Sequence, residues 1–135
     1  MGIEIRGMAP LLEVFDMPTA LAFYRDLVGF EVVNRSGSDD NSDWVMLRLA
    51  DVYLMLNTAY ESDERPAEPD PARVRGHRDT GLFFRCPDVD GTYTYLRDHG
   101  VDLEPPHNAP YGMRQLYLSD PDGFILCFQW PVAES

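Results

Sequence analysis

The sequence contains few histidines and cysteines, which are the side chains that most often bind transition metals or act as nucleophiles. It has three histidines, His77, His99 and His107, and two cysteines, Cys86 and Cys127. The histidines fall in a linker, at the end of a predicted helix and in a proline-rich loop, so we expect solvated surface residues. The cysteines could pair, but they lie in apolar strand patterns without the dense spacing of a secreted scaffold. Free buried thiols are the expected state.

The charge balance argues against one class of partner. The formal net charge is -12, and the 11 positive residues are all arginines. Nucleic-acid binding needs clustered Lys and Arg, so we predict no nucleic-acid partner. An acidic surface keeps a small protein soluble and also attracts cationic ligands, and charge alone leaves both roles open.

Length and hydropathy suggest one cytoplasmic domain. At 135 residues the chain can bury most of its apolar surface. No apolar run approaches the roughly 20 residues that cross a bilayer, and no leader pattern is visible. We therefore expect a cytoplasmic protein with no membrane partner.

Any site must be positioned by secondary structure, and the clearest secondary-structure signal in the sequence is a hairpin between Gly112 and Gln129. An alternating run leads into the Asp-Pro-Asp-Gly turn at 120–123, and a β-rich run follows. A weaker copy occurs earlier, where 45–49 turns at Ala50 and Asp51 into 52–57. This pair of hairpins suggests a duplication.

The first half of the chain is predicted to be β-α-β-β-β. Asp16 can cap a helix that begins near Pro18, and Gly29 can end it. The predicted strands are 9–15, 30–34, 44–49 and 52–58.

The second half repeats this plan after a long connection. The stretch 59–79 is charged and contains Pro66, Pro69 and Pro71, which is typical of a linker. A strand at 81–86, a helix from Asp88 to Gly100, a strand at 101–104 and a proline-rich loop then lead to the hairpin. The predicted organisation is a first module at 9–58, a linker at 59–79 and a second module at 80–131.

The two halves also share a residue pattern around their helices. Each predicted helix has an aromatic face and an Arg-Asp pair in its last turn, and each is followed by a glycine and by a strand that begins apolar-acidic-apolar. A sheet covered by one helix leaves its other face open. We therefore predict an α+β fold in which two tandem βαβββ modules form an open β-barrel around a cleft, with the helices outside.

Three features resemble the vicinal oxygen chelate superfamily, which includes glyoxalase I, extradiol dioxygenases, fosfomycin-resistance enzymes and bleomycin-resistance proteins. They are Ala20–Phe30 (ALAFYRDLVGF), the segment 111–123 ending in Asp-Pro-Asp-Gly, and the helix-glycine-strand repeat. The resemblance spans 9–130. It implies the fold more specifically than the reaction, because many chemistries share this scaffold.

The resemblance also implies where a metal would bind. Enzymes of the superfamily hold a divalent metal with His and Glu from the first and last strands of each half. Those positions fall on Ala9, Met55, Leu82 and Cys127, so the chain departs from the metal pattern. We therefore expect no metal and no cofactor. The metal-free branch is the bleomycin-resistance type, which sequesters a cationic aromatic antibiotic in an acidic dimer cleft, and a homodimer is the implied assembly.

Strand alternation predicts which side chains face the cleft. Leu12, Val14, Val52, Leu54, Leu56, Leu126, Phe128 and Trp130 are assigned to the helix side. Arg85 does not fit this assignment, because alternation places its charged side chain on the apolar helix side. Either Arg85 lies beyond the edge of the helix, or the predicted register of its strand is wrong by one residue. The predicted ligand-binding residues are Leu11, Glu13, Tyr53, Met55, Asn57, Phe84, Tyr111, Gln115, Tyr117, Cys127 and Gln129.

These residues describe an apolar, aromatic pocket with a few polar groups, typical of a small-molecule site. The first hypothesis is a metal-independent protein that binds or sequesters an apolar or aromatic molecule, with a cation as one option. The alternative is a metal-dependent lyase or dioxygenase with an unusual ligand set such as Glu13, His107 and Cys127. A regulatory or stress protein that only binds its ligand is a third option.

Overall fold

Both halves of the chain fold around a four-stranded sheet with the same strand order. The computed structural model describes residues 2–60 and 63–132. The chain divides into two compact units, Met1–Pro69 and Asp70–Ser135.

The first unit follows the predicted β-α-β-β-β order. Its sheet has the order β1-β4-β3-β2, with β1 parallel to β4 and the other neighbours antiparallel. The elements are β1 (Leu11–Val14), α1 (Met17–Leu21), a π-helical continuation of α1 (Ala22–Val28), β2 (Glu31–Arg35), β3 (Trp44–Leu49) and β4 (Val52–Thr58).

Local sequence explains where this helix begins and ends. The Asp16 carboxylate accepts a hydrogen bond from the Thr19 backbone N–H at 3.1 Å, as an N-cap does. Gly29 ends the helix with a φ of 109°, a conformation that favours glycine. The helix buries Leu21 and Tyr24, and the adjoining sheet face buries Leu12, Val14, Val45, Leu47, Leu54 and Leu56.

The second unit repeats the plan after a short helical connection. Its sheet has the order β5-β8-β7-β6, with β5 parallel to β8. The elements are α2 (Pro71–Gly76), a 3-10 turn (His77–Asp79), β5 (Gly81–Arg85), α3 (Val89–Asp98), β6 (His107–Asn108), β7 (Met113–Ser119) and β8 (Ile125–Pro131).

The hairpin turn between β7 and β8 is fixed by its own side chains. Asp120 Oδ1 accepts hydrogen bonds from the backbone N–H groups of Asp122 and Phe124, at 2.8 and 2.9 Å. Gly123 has a φ of 91°, so the turn favours glycine there. The hairpin predicted from the sequence is confirmed.

The connection before β5 is more ordered than its prolines suggested. Asp70 caps α2 through the Ala72 N–H, and Pro71 occupies a first-turn position that needs no donor.

His77 stacks on Phe124 with ring centroids 3.9 Å apart, and its Nδ1 lies 2.6 Å from the Asp122 carbonyl oxygen. The prediction that His77 is a solvated surface histidine is therefore wrong.

The strand predicted at 101–104 is absent, and the edge strand is instead His107–Asn108. The backbone N–H of Val101 still bonds to the Leu96 carbonyl at the helix end. Pro105 and Pro106 follow directly and lack the N–H that a strand ladder uses, so pairing begins only beyond them.

The predicted α+β class and the two tandem four-stranded βαβββ sheets are confirmed, and neither sheet closes on itself. Within residues 2–60 and 63–132, no helix has the length and apolar character needed to cross a bilayer.

Candidate functional site

The register of β5 decides which residues share its faces. β5 runs parallel to β8 and pairs Phe83 with Cys127 and Phe84 with Phe128. Paired residues point to the same side of a sheet, so Phe84 lies on the helix side, where it stacks on Phe128 at 5.3 Å. The prediction that Phe84 faces the ligand is wrong by one residue. The anomaly at Arg85 was the sequence signal of this error.

We call the opposite side of this sheet the second-unit face. Its centre is Gln115, which is only 2% exposed. Gln115 Nε2 donates hydrogen bonds to Tyr111 Oη at 2.8 Å and to Gln129 Oε1 at 2.9 Å, and Tyr117 Oη donates to Gln115 Oε1 at 3.2 Å. This network fixes the side chains of Tyr111, Gln115, Tyr117 and Gln129. The face also includes Phe83, Arg85, His107 and Cys127.

Aromatic rings surround this network and remain accessible. Tyr111 is 70% exposed, Phe83 54% and Tyr117 37%. Phe83 packs edge-on against Tyr117 at 6.1 Å, and His107 lies parallel to Tyr117 at 6.0 Å. The arrangement offers exposed rings next to fixed amide groups, which suits stacking and hydrogen bonding to a flat molecule.

Two titratable groups of the second-unit face, Tyr117 and Cys127, have raised pKa values that favour their neutral forms. Burial raises the pKa of Tyr117 to about 12, and the neighbouring Cys127 and Tyr111 add to that effect. Burial also raises the pKa of the Cys127 thiol, although the hydrogen bond with Tyr117 opposes the change. Since the thiolate is the nucleophilic form of cysteine, the raised pKa makes Cys127 less reactive near neutral pH than an exposed cysteine.

The first-unit face is the corresponding side of the other sheet. Leu11 pairs with Met55 and Glu13 with Asn57, so four predicted residues share this face. Asn57 Nδ2 lies 3.3 Å from both oxygens of the Glu13 carboxylate and donates to them. Tyr53 lies on the same face and is 42% exposed.

These faces also carry residues that were not predicted as ligand-binding, among them Trp44, Met46, Arg48, Phe83, Arg85 and His107. Trp44 pairs with Asn57 and Met46 with Met55 across β3 and β4. The faces of Trp44 and Met46 could have been predicted from the tight turn at Ala50 and Asp51, because this turn fixes which residues of the two strands lie opposite each other. His107 gave no such signal, since its strand has only two residues.

The positions at which the superfamily would bind a metal do not fit one. Ala9, Met55 and Leu82 offer a methyl group, a thioether and an alkyl chain, which do not suit a hard or borderline divalent cation, and Cys127 offers a single thiol that makes no site without partner ligands. Leu82 also pairs with Leu126 on the helix side. No three His, Cys, Asp or Glu side chains cluster as a metal site among the residues that the structure describes.

Comparison with known proteins identifies the family. The sequence model described as the Glyoxalase/Bleomycin resistance protein/Dioxygenase superfamily matches residues 9–128. The chain belongs to this superfamily. The resemblance noted in the sequence is thereby confirmed. A search of curated proteins found no match.

Solved structures of the superfamily are similar over nearly the whole chain. TnmS3, an antibiotic binding protein from Streptomyces sp. CB03234, is 26% identical, with a TM-score of 0.70 over 96% of this chain and 99% of that one. The bleomycin resistance determinant of transposon Tn5 is 21% identical, with a TM-score of 0.70 over 94% and 98%. Lactoylglutathione lyase from Agrobacterium tumefaciens is 22% identical, with a TM-score of 0.68 over 93% and 94%. The last two likenesses concern the fold alone.

Proposed function

We propose that this protein binds or sequesters a small aromatic or apolar molecule on its open sheet faces, without catalysing a metal-dependent reaction. The observation that carries the proposal is the Gln115 network, in which one buried amide is held by Tyr111, Tyr117 and Gln129. Side chains fixed before a ligand arrives lose little conformational freedom on binding, which favours affinity.

The aromatic rings supply most of the contact area in this proposal. Tyr111, Tyr117 and Phe83 are exposed to different degrees around the amides of Gln115 and Gln129. A flat ligand can stack on such rings while the amides bond to its polar edge. The likeness to TnmS3, which is an antibiotic binding protein, supports a small-molecule ligand.

A cationic ligand is favoured over an anionic one. The net charge of -12 attracts cations to the surface, and tyrosine faces stabilise them further. On the first-unit face, Glu13 is the carboxylate that can pair with such a charge, while Leu11 and Met55 contribute apolar surface.

The rival function is a lyase or dioxygenase of the same superfamily with a metal. It would need ligands such as Glu13, His107 and Cys127. Glu13 is bonded to Asn57, and no three His, Cys, Asp or Glu side chains cluster as a metal site within residues 2–60 and 63–132. A metal-free binding role agrees better with these contacts.

Two further predictions belong with this function. A homodimer follows from the resemblance to the bleomycin-resistance type, and sedimentation equilibrium would give a mass near twice the 15.4 kDa of one chain. A cytoplasmic location remains our expectation, and cell fractionation tests it.

Calorimetric titration with metal-free bleomycin, ethidium and neutral naphthalene tests the ligand class. We expect saturable binding of at least one aromatic probe, stronger for the cationic ones, and a loss of about tenfold in affinity for Tyr111→Ala. Tyr95→Ala is the matched control, because Tyr95 is also an exposed tyrosine but lies on α3. An affinity that is unchanged in Tyr111→Ala, or no binding of any probe, would contradict the proposal.

A further inference from the structure

A cavity in the first unit lies outside the first-unit face. Its volume is about 270 Å³, and it is bordered by the loop before β3, the start of α1 and the ends of β1 and β4. The lining residues that matter here are Phe15, Asp43, Thr58, Tyr60 and Arg65. The volume is slightly below the usual range for drug-sized ligands and suits a smaller molecule.

The cavity already contains a guanidinium group, which belongs to the chain itself. The guanidinium carbon of Arg65 lies 5.3 Å from the centroid of the Phe15 ring, in cation–π geometry. Arg65 also forms an ion pair and hydrogen bond with the Asp16 carboxylate. The Tyr60 ring meets Phe15 edge-on at 6.2 Å and extends the aromatic wall.

This intramolecular contact is weak enough to be replaced. The Arg65 side chain is 39% exposed and that of Asp16 26%, and ion pairs at such sites contribute little because water screens them. Asp16 does not depend on Arg65 for a role, since it also caps α1 through Thr19. A free ligand with the same planar, charged group could therefore take the place of Arg65.

The lining also carries a second acid. Asp43 borders the cavity and takes part in none of the ion pairs within the described part of the chain. The Thr58 hydroxyl is a further polar group on the same wall. With Arg65 paired to Asp16, Asp43 leaves the cavity with one uncompensated negative charge, which favours a ligand that carries a second positive group.

We propose that this cavity is a second binding site, for a small guanidinium-bearing cation that displaces Arg65 from Phe15 and Asp16. A dication such as agmatine matches it best, with its guanidinium in the place of Arg65 and its ammonium group paired with Asp43. The site is separate from the sheet faces and does not depend on the function proposed for them.

Calorimetric titration with agmatine at 150 mM salt tests this site. Arg65→Ala should bind agmatine about tenfold more tightly than the wild type, because the internal competitor is removed. Arg65→Gln should behave in the same way if the alanine variant folds poorly. Arg78→Ala is the matched control, since it removes an exposed arginine of the second unit and should leave the affinity unchanged.

Two further variants locate the bound cation. In the Arg65→Ala background, where no internal guanidinium competes, Asp16→Asn retains the helix cap but loses the charge, so it should weaken agmatine binding about tenfold. Tyr95→Ala should have no effect, because Tyr95 lies on α3 of the second unit. The proposal is overturned if neither Arg65 variant binds agmatine more tightly than the wild type, or if Asp16→Asn and Arg78→Ala change the affinity equally.

Discussion

At the scale of single residues, the buried amide of Gln115 is the group on which the second-unit face depends. Replacing it with methionine keeps the length of the side chain but removes its bonds to Tyr111, Tyr117 and Gln129. We expect Gln115→Met to cost about 1–2 kcal/mol of unfolding free energy. Affinity for an aromatic probe should fall about tenfold, because the rings lose their fixed positions. Urea denaturation and calorimetry measure the two effects, and full affinity would contradict the assigned role.

Tyr117 gives a pH signature of the same network. Its pKa is raised to about 12, chiefly by burial, while an unfolded tyrosine titrates near pH 10. A raised pKa in the folded state means that this tyrosine stabilises the fold fully below about pH 10. The contribution is lost as the pH rises toward 12. Ultraviolet titration of tyrosinate should lose one late step in Tyr117→Phe, and an unchanged titration curve would disprove the assignment.

The Glu13→Gln variant tests whether the Glu13 carboxylate binds ligand or stabilises the fold. Its carboxylate accepts two long hydrogen bonds from Asn57 at 3.3 Å, which Glu13→Gln can partly retain. We expect the unfolding free energy to change by less than about 1 kcal/mol. Affinity for cationic ethidium should fall severalfold while affinity for neutral naphthalene stays the same. A loss of several kcal/mol would instead make Glu13 a buried structural group.

At the scale of elements, the β7–β8 turn is held from two sides. A Cβ on Gly123 would lie 2.4 Å from the Val74 backbone oxygen, and the φ of Gly123 is 91°. We expect Gly123→Ala to cost at least about 3 kcal/mol, because it adds a clash with α2 to the backbone strain.

Gly100→Ala is the control for strain alone. Gly100 has a φ of 86° with nothing within 4 Å of the added Cβ, so the expected cost is about 1–2 kcal/mol. Urea denaturation of both variants measures the difference. Equal losses would mean that α2 does not pack firmly against the turn.

Local sequence predicted those elements whose signals are short-range. Asp16 and Gly29 gave the limits of the first helix, and the Asp-Pro-Asp-Gly turn gave the hairpin. Strand β5 was harder, because Leu82, Phe83 and Phe84 are all apolar and alternation cannot assign their faces. Only the pairing with β8, a contact far away in the sequence, fixes that register. Strand β6 was also hard to predict, because it is defined by its pairing with β7 and not by a pattern in its own two residues.

The candidate site also has a part that local sequence predicts and a part that depends on distant contacts. The faces of Glu13, Gln115 and Tyr117 follow from alternation along single strands, and the structure agrees with that alternation. The bonds that join Gln115 to Tyr111 and Gln129 could not be predicted, because they depend on side-chain rotamers and on a loop. His77 was misjudged because its partner, Phe124, lies 47 positions later in the chain.

At the scale of the whole molecule, the repeated topology explains how one fold supports unrelated functions. Each unit buries one face of its sheet under a helix and leaves the other face for variable side chains. The fold is stabilised by the buried faces, so the open faces can change from metal-binding to aromatic residues at little cost. In this chain the open faces carry aromatic, amide and apolar groups together with Glu13 and His107.

Binding of a probe to metal-stripped protein tests this account most directly. The protein is dialysed against EDTA, its metal content is measured by elemental analysis, and it is titrated with metal-free bleomycin and ethidium. We predict saturable binding by the stripped protein, the same affinity after Zn²⁺ or Mn²⁺ is added, and weaker binding by Gln115→Met. Stoichiometric metal in the purified protein, or probe binding that appears only when metal is restored, would contradict the account.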